Sequence, residues 1–296
     1  MKCMIEDKQY SFMPNAMADT EARKAYFELA NEVFKLQFDR WYSTGYVDDS
    51  YIPYTLFDGG TAVASVGVSI TNLKWKNVTK CYAQLSTVMT RQEYRGKGLS
   101  RWLIEKVIKE WKQKSDMIYL YANDSVVNFY PKFGFVEAAQ YQNHKPVIRK
   151  DGKSRILDMS LHQNIDLLVE KFRLSNPFSA FTMEDNESLV VFHCTSFMKN
   201  HVYYIDQYDA VVVGEYVGDI FICYDIYADA DCSLGDILGV MAKEDTKFVS
   251  FGFTPKSNEG GTIAELQEEN TTLFVLAGNE NLIEENKLTL PFLSRA

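Results

Sequence analysis

No two of the five cysteines, Cys3, Cys81, Cys194, Cys223 and Cys232, stand at the Cys-x-x-Cys spacing of a redox or zinc site, and an odd number cannot all pair within one chain. They read as free thiols of a reducing compartment. No run approaches the roughly 18 apolar residues of a membrane span. Met1 to Pro14 carries Glu6, Asp7 and Lys8 where a secretory peptide would have its apolar core. The expectation is a soluble, cytoplasmic protein without a membrane partner. A basic surplus is missing as well: 31 Lys+Arg face 40 Asp+Glu, a net charge of -9. A general nucleic-acid binder needs a positive footprint to displace counterions, so no nucleic-acid partner is expected. What is present is 296 residues, 46% of them hydrophobic, enough for about two domains of ~150 residues and too apolar for a disordered chain.

The organisation is mixed α/β. Tyr26, Leu29, Ala30, Val33, Phe34 and Phe38 recur at helical steps and predict an amphipathic helix over 20–41. Phe57-Asp58-Gly59-Gly60 separates two β-rich runs, 51–57 and 61–70, as a hairpin turn would. A strand over 82–89 leads into Arg95-Gly96-Lys97-Gly98-Leu99-Ser100. A helix with Leu99, Leu103, Val107, Ile108 and Trp111 on one face follows, then a strand over 117–122. A second helix is expected from Asp124 or Ser125 to Gly134, and a closing hairpin, 135–149 with 153–161, about Asp151-Gly152. A helix over 164–174 ending at Asn176-Pro177 places a domain boundary near residue 165. Beyond it, strands at 210–214 and 219–227, a helix at 234–242 and strands at 247–254 and 271–277 repeat the earlier order. An internal duplication and the order common to any mixed α/β domain both fit.

The 95–100 loop lies where a strand feeds a helix, so unpaired N–H groups and the positive end of the helix dipole converge. Two glycines remove the Cβ atoms that would hold a diphosphate off, and Arg95 and Lys97 add charge. A plain turn is the alternative for the loop alone. The wider segment resembles motif A of the GNAT (Gcn5-related N-acetyltransferase) superfamily, Gln/Arg-x-x-Gly-x-Gly/Ala, with Arg95, Gly98 and Ser100 at the patterned positions and Ser100 departing from Gly/Ala. The superfamily's second signature, an Asn leaving a strand and a Tyr before Gly-Phe, is similar to Asn123 through Tyr130 to Gly134-Phe135. The resemblance covers about 20–161 and implies a two-domain bacterial-type member: residues 1–165 a GNAT acetyl-CoA-binding catalytic domain, and 166–296 a smaller α/β domain, degenerate GNAT-like or unrelated, without a cofactor loop.

The resemblance implies a twisted mixed sheet whose fourth and fifth strands, here 82–89 and 117–122, splay around the pantetheine arm of acetyl-CoA. Val88, Met89 and Thr90 would then border the pantetheine, and Arg95, Gly96, Lys97, Gly98, Leu99 and Ser100 would wrap the pyrophosphate. Asn123 would hold the cofactor or cap the helix start. The Val88 N–H would meet the oxyanion from a strand bulge, and Tyr130 would protonate the departing sulfur; core packing is the alternative for Tyr130. Many family members place a glutamate base on the fourth strand, but Tyr82-Ala83-Gln84-Leu85-Ser86-Thr87 has no carboxylate. A water chain could substitute. By analogy with the mycobacterial enhanced-intracellular-survival acetyltransferases, so could the terminal carboxylate of Ala296.

For the acceptor, Trp41, Tyr46, Asp48 and Tyr141 are the candidates, Asp48 and Asp49 as attraction for a cationic amine, against a solvated turn. Asp225, Asp229 and Asp231 would repel a diphosphate in the second half. They are spaced like a calcium loop but lack its Gly and Glu, so no metal is expected. The function expected is acetyl transfer from acetyl-CoA to a primary amine of a small molecule, in a monomer or a homo-oligomer. The alternative is a non-catalytic acyl-CoA-binding sensor or interaction module.

Overall fold

The computed structural model describes residues 1–296. A hairpin that the sequence reading did not anticipate, β1 (Lys2–Ile5) and β2 (Lys8–Met13), opens the chain. The single helix expected over 20–41 is two: α1 (Thr20–Phe34) and α2 (Phe38–Ser43). Asp19 caps α1 by accepting the Ala22 N–H at 2.9 Å, and Lys35 ends it by turning left-handed, φ 60°. The hairpin about Gly59-Gly60 forms from β3 (Tyr51–Asp58) and β4 (Thr61–Trp75), and β5 (Val78–Thr90) pairs antiparallel with β4. Next, α3 (Leu99–Trp111) crosses over to β6 (Met117–Ala122), which runs parallel to β5.

The helix expected at 124–134 is instead two 3₁₀ turns, 124–126 and 130–133. Pro131 supplies no N–H to propagate a helix there, and Gly134 turns left-handed at φ 87°. Downstream come β7 (Phe135–Glu137), β8 (Tyr141–Pro146), β9 (Arg155–Ile156), α4 (His162–Phe172), β10 (Phe181–Met183), α5 (Glu187–Thr195), β11 (Val202–Ile205), β12 (Ala210–Val217), β13 (Ile220–Tyr227), α6 (Leu234–Met241), β14 (Phe248–Phe251), β15 (Thr262–Glu265), β16 (Thr272–Leu276) and α7 (Leu282–Glu285).

These strands build two mixed sheets. The first runs β1-β2-β3-β4-β5-β6-β16-β7, with β10 added to β4; the second runs β15-β8-β14-β13-β12-β11-β9. The expected closing hairpin about Asp151-Gly152 is therefore absent: β8 pairs with β14 and β15, and β9 with β11. Each half lends the other two strands, β8 and β9 to the second sheet and β10 and β16 to the first. β8, from the first half, lies between β14 and β15, while β16, from the chain's end, lies between β6 and β7. Sheet membership thus crosses a division into 1–165 and 166–296, because the second edge of β6 and the one paired edge of β7 are both satisfied by residues 272–276.

Alternation along the strands sorts the core. Tyr82, Met117 and Tyr119 face inward to an apolar layer shared with α1, α2, α4, α5 and the inner face of the second sheet; Ala83, Ile118 and Leu120 face outward to α3. On the far side of the second sheet Val212, Phe221 and Phe251 pack under α6. The shared middle layer holds the two sheets together.

Candidate active site

The parallel pairing of β5 and β6 runs from Tyr82/Met117 to Leu85/Leu120 and stops, although β5 continues to Thr90. Just past that point the β4–β5 register shifts, Ser65 pairing with Met89 and Gly67 with Ser86. Thr87 and Val88 are left without cross-strand partners, and Thr87 sits at φ 42°. This is a bulge, and it bends β5 away from β6. The Thr87 hydroxyl is fixed by the Tyr51 hydroxyl at 2.6 Å, which meets that of Tyr26 at 2.5 Å. Gly67 makes room for the cluster, since a Cβ there would lie 2.5 Å from both the Thr87 and Tyr51 oxygens.

The gap between the strands opens into a cleft of about 840 Å³. Along its floor lie Leu85, Ser86, Thr87, Val88 and Thr90 of β5, facing Tyr121, Ala122, Asn123 and Tyr130. At one end lie Arg95, Gly96, Gly98, Leu99 and Ser100. Gly96 and Gly98 adopt φ 77° and 70°, a region glycine enters without steric cost, and Gly98 caps α3 with no side-chain acceptor. The first N–H groups of α3 are thus available to an anion. Ser100 offers no obstruction, its hydroxyl being bonded to that of Thr90 at 2.6 Å.

Of the residues expected at the cofactor, Met89 and Lys97 do not line the cleft. Met89 points into the shared core, 1% exposed, and the Lys97 ammonium lies 4.8 Å above the Tyr94 ring. Arg101 and Glu6 line it and were not anticipated. Arg101 was legible as a cation in the first turn of α3. Glu6 arrives from the β1–β2 turn, its Oε1 3.5 Å from where a Cβ on Gly98 would be. The Asn123 oxygen accepts the Ser125 hydroxyl at 2.6 Å and does not cap the following turn.

Tyr130 is 5% exposed, its ring set among Phe129, Phe135 and Phe274, and burial pushes its pKa up to about 12. Phe274 belongs to β16, so the lent strand helps to seat this tyrosine. The hydroxyl makes no protein hydrogen bond, yet the residue borders the cleft on the side facing β5. Packing and availability to a ligand coexist.

A second, smaller cavity of about 150 Å³ meets the first at Ser86 and Thr87. Leu36, Phe38, Trp41 and Tyr51 line it together with Leu189 and Phe192 of α5 and Phe197 just beyond. Asn186 holds α5 against β4, donating to the Ile70 carbonyl at 2.9 Å and accepting the Leu189 N–H at 3.0 Å. Trp41 donates from its indole to the Ser188 carbonyl, 2.8 Å. The other three acceptor candidates lie elsewhere. Tyr46 donates to Asp166 at 2.6 Å, exposed Asp48 accepts the Ser50 N–H at 2.9 Å as the solvated turn would, and Tyr141 is in β8 of the second sheet. α5 could not be read from the sequence, because residues 188–194 are buried all round and show no helical period.

Ala296 also borders this cavity. Its main-chain N–H donates to Gln84 Oε1 at 2.8 Å and its main-chain oxygen accepts Gln84 Nε2 at 2.7 Å, so the amide standing where a β5 carboxylate was sought clasps the end of the described chain. Arg295, before it, donates from Nη1 to both carboxylate oxygens of Glu268 and is stacked 4.9 Å over Tyr121. His193 donates to the Arg295 carbonyl at 2.6 Å, and burial lowers its pKa to about 4, so the ring is neutral. No group of three or more His, Cys, Asp or Glu is arranged to hold a metal ion, and no helix is long and apolar enough to cross a membrane. Asp225 instead accepts Asn176 Nδ2 at 2.6 Å and the Tyr227 hydroxyl at 2.9 Å inside the second half.

Residues 15–135 match the model of the acetyltransferase (GNAT) family. No curated protein matches the chain in sequence. A probable N-acyltransferase of unknown function from Enterococcus faecalis shares the fold with a TM-score of 0.56 at 12% identity, over 90% of this chain and 71% of its own. Eis1 from Mycobacterium abscessus does so at 0.54 and 12%, over 89% and 72%. A Gcn5-related N-acetyltransferase from Anabaena variabilis gives 0.53 and 12%, again over 89% and 72%. These likenesses extend through both sheets and establish the two-sheet architecture.

Proposed function

We propose, from the match of residues 15–135 to the acetyltransferase (GNAT) family model, that the chain moves an acetyl group from acetyl-CoA to the primary amine of a small molecule. The observation that carries this is one cleft in which unpartnered Val88, the hydroxyl of Tyr130 and the glycine loop before α3 all face the same gap. The cleft fits the cosubstrate: a charged, glycine-lined end suits a pyrophosphate, and a narrow strand gap suits an extended chain that bonds to backbone. Acetyl-CoA would supply the thioester. Val88, its N–H released by the bulge, is the donor to the oxyanion. Tyr130 gives its proton to the departing sulfur, and a pKa near 12 keeps that proton in place throughout the neutral range.

An alkylamine of pKa about 10.4 is neutral in only ~1 molecule in 2,500 at pH 7, so a proton acceptor is needed. The α-carboxylate of Ala296, positioned by Gln84, is assigned that role, which requires Ala296 to be the last residue. Appending three glycines after Ala296 should then depress turnover and flatten its pH profile while CoA binding persists.

The test of the acid is Tyr130→Phe, expected to lower kcat by ~10²-fold with the CoA dissociation constant within about threefold of wild type. An unchanged kcat removes Tyr130 from the chemistry. The absence of a carboxylate side chain on β5 supports a second reading, an acyl-CoA sensor. Tight CoA binding with no amine-dependent thiol release across a broad amine panel would establish the sensor and end the enzyme.

A further inference from the structure

We propose that the acceptor is a monoamine bearing one aromatic ring or a branched aliphatic group of that size, with at most one neutral hydrogen-bonding substituent, and that it binds in the 150 Å³ cavity beside the bulge. This deepens the acetyl-transfer function and rests on it. The cavity is walled by Phe38, Trp41, Leu189 and Phe192, and no Asp, Glu, Lys, Arg or His side chain lines it. A dication or polyamine entering it would leave all but one of its charges desolvated and without a partner in a low-dielectric pocket. The attraction expected from Asp48 does not exist here, since that carboxylate is exposed and turned to its own loop.

Size sets the apolar part, because an apolar cavity of roughly 150 Å³ accommodates one benzene ring. Two further observations point to a ligand with a polar atom. Ser86 and Ser188, 6% and 0% exposed, are among the residues lining this cavity, and neither hydroxyl has a hydrogen-bond partner. A buried hydroxyl left unpaired loses its hydration without compensation, a loss that a bound nitrogen, hydroxyl or carbonyl would recover. Orientation follows from the shared wall. Ser86 and Thr87 border both cavities, so the nitrogen lies at that neck, toward Val88, and the ring lies among the aromatics. Phe197, 60% exposed, stands at the rim with its ring 5.6 Å from Phe192, where it can cover a bound ring.

The experiment compares 2-phenylethylamine with spermidine, reading thiol release from acetyl-CoA and, separately, heat of amine binding to the CoA-loaded full chain. 2-Phenylethylamine should have a kcat/KM at least ~100-fold above that of spermidine. Leu36→Trp, at a half-buried position on the cavity wall, is designed to fill the cavity. It should raise the KM for 2-phenylethylamine at least ~10-fold and leave CoA affinity unchanged. Phe197→Ala, at an exposed position, should raise that KM about threefold.

A preference for spermidine, or a Leu36→Trp enzyme indistinguishable from wild type, overturns the proposal. If neither amine releases thiol although CoA binds, acetyl transfer fails separately. Calorimetry then decides the pocket: 2-phenylethylamine binding that Leu36→Trp abolishes supports its occupant, and no binding overturns it.

Discussion

The two sheets carry the same device in opposite states. In the first, an antiparallel hairpin (β4–β5), a loop, α3 and a parallel strand (β6) end in a bulge at Thr87 and Val88 just past the Leu85/Leu120 pair. In the second, β12–β13, a loop, α6 and β14 do likewise: the parallel pairing ends at Cys223/Phe251, and the β12–β13 register shifts where Tyr224 is left over. Beyond that point the first gap is open and the second is closed. The Phe292 N–H donates to the Gly252 carbonyl at 2.8 Å, and the Phe292 ring lies 4.2 Å from that of Tyr224, wedged where an extended ligand would run.

The loops diverge in parallel. Arg95, Gly96, Lys97 and Gly98 leave α3 uncapped and positive, whereas Asp229 and Asp231 precede an α6 capped by Ser233. A splayed strand pair becomes a site only where the gap stays empty and the helix donors stay free. The repeated order seen in the sequence is thus matched strand for strand, and the lent strands β8 and β16 occupy corresponding places in the two sheets.

Separating the sheets should have the largest effect. A fragment of residues 1–165 lacks β16 and leaves β6 and β7 with unpaired edges and Phe274 missing beside Tyr130. It should fail to give a cooperative thermal transition or bind CoA, with co-expressed 166–296 restoring both. A fragment that binds CoA at wild-type affinity would show the strand exchange to be dispensable. Next in size is Gly67→Ala, whose Cβ would push the Thr87–Tyr51 pair out of register. It should lower kcat/KM by ~10- to 100-fold and stability by about 1–3 kcal/mol, read by kinetics and denaturant unfolding.

How much of this was legible follows from range. The 95–100 loop, α3 and β6 were legible because their signals are local: a glycine pair, a helical period and a short apolar run. The exchange of β8 and β16 was not, since a strand's own residues do not say which of two sheets it will join, and Asp151-Gly152 gave a hairpin signal that tertiary pairing overrode. The apolar cavity was missed because one side of its wall, Ser188, Leu189 and Phe192, comes from α5, which is buried all round. Trp41 was found because it follows the helical run Tyr26 to Phe38, in the segment that covers the acceptor in the fold this chain resembles. The clasp of Gln84 on Ala296 spans 212 residues and leaves no local trace.

A smaller test makes the first loop resemble the second. Gly98→Ser offers α3 a hydroxyl cap like that of Ser233, which competes with a phosphate for the same N–H groups, and places a side chain at φ 70°. CoA affinity should fall about tenfold while the melting temperature moves by only a few degrees. An unchanged affinity would mean that the helix end does not hold the anion.

The last effect lies in the second half, away from the cleft, and concerns pH. Burial raises the Asp225 pKa to about 6, against the hydrogen bonds from Asn176, Tyr227 and the Ile226 N–H that lower it. With an unfolded value near 3.8, the folded state holds the proton more tightly. The site's contribution is therefore complete below about pH 3.8 and is lost as pH rises through 6. His193 has the opposite window. Its folded pKa near 4 lies below the usual 6.5, so its contribution is present above pH 6.5 and lost as pH falls toward 4. The two offset one another between pH 4 and 6.5. Asp225→Asn removes one side of the balance. Urea unfolding should show the variant gaining on wild type by up to about 3 kcal/mol from pH 4 to 8, and losing stability more steeply on acidification below pH 6.5. Parallel stability curves for the two proteins would show that Asp225 is ionised in the folded state at its ordinary pKa, and that the closed gap carries no buried proton.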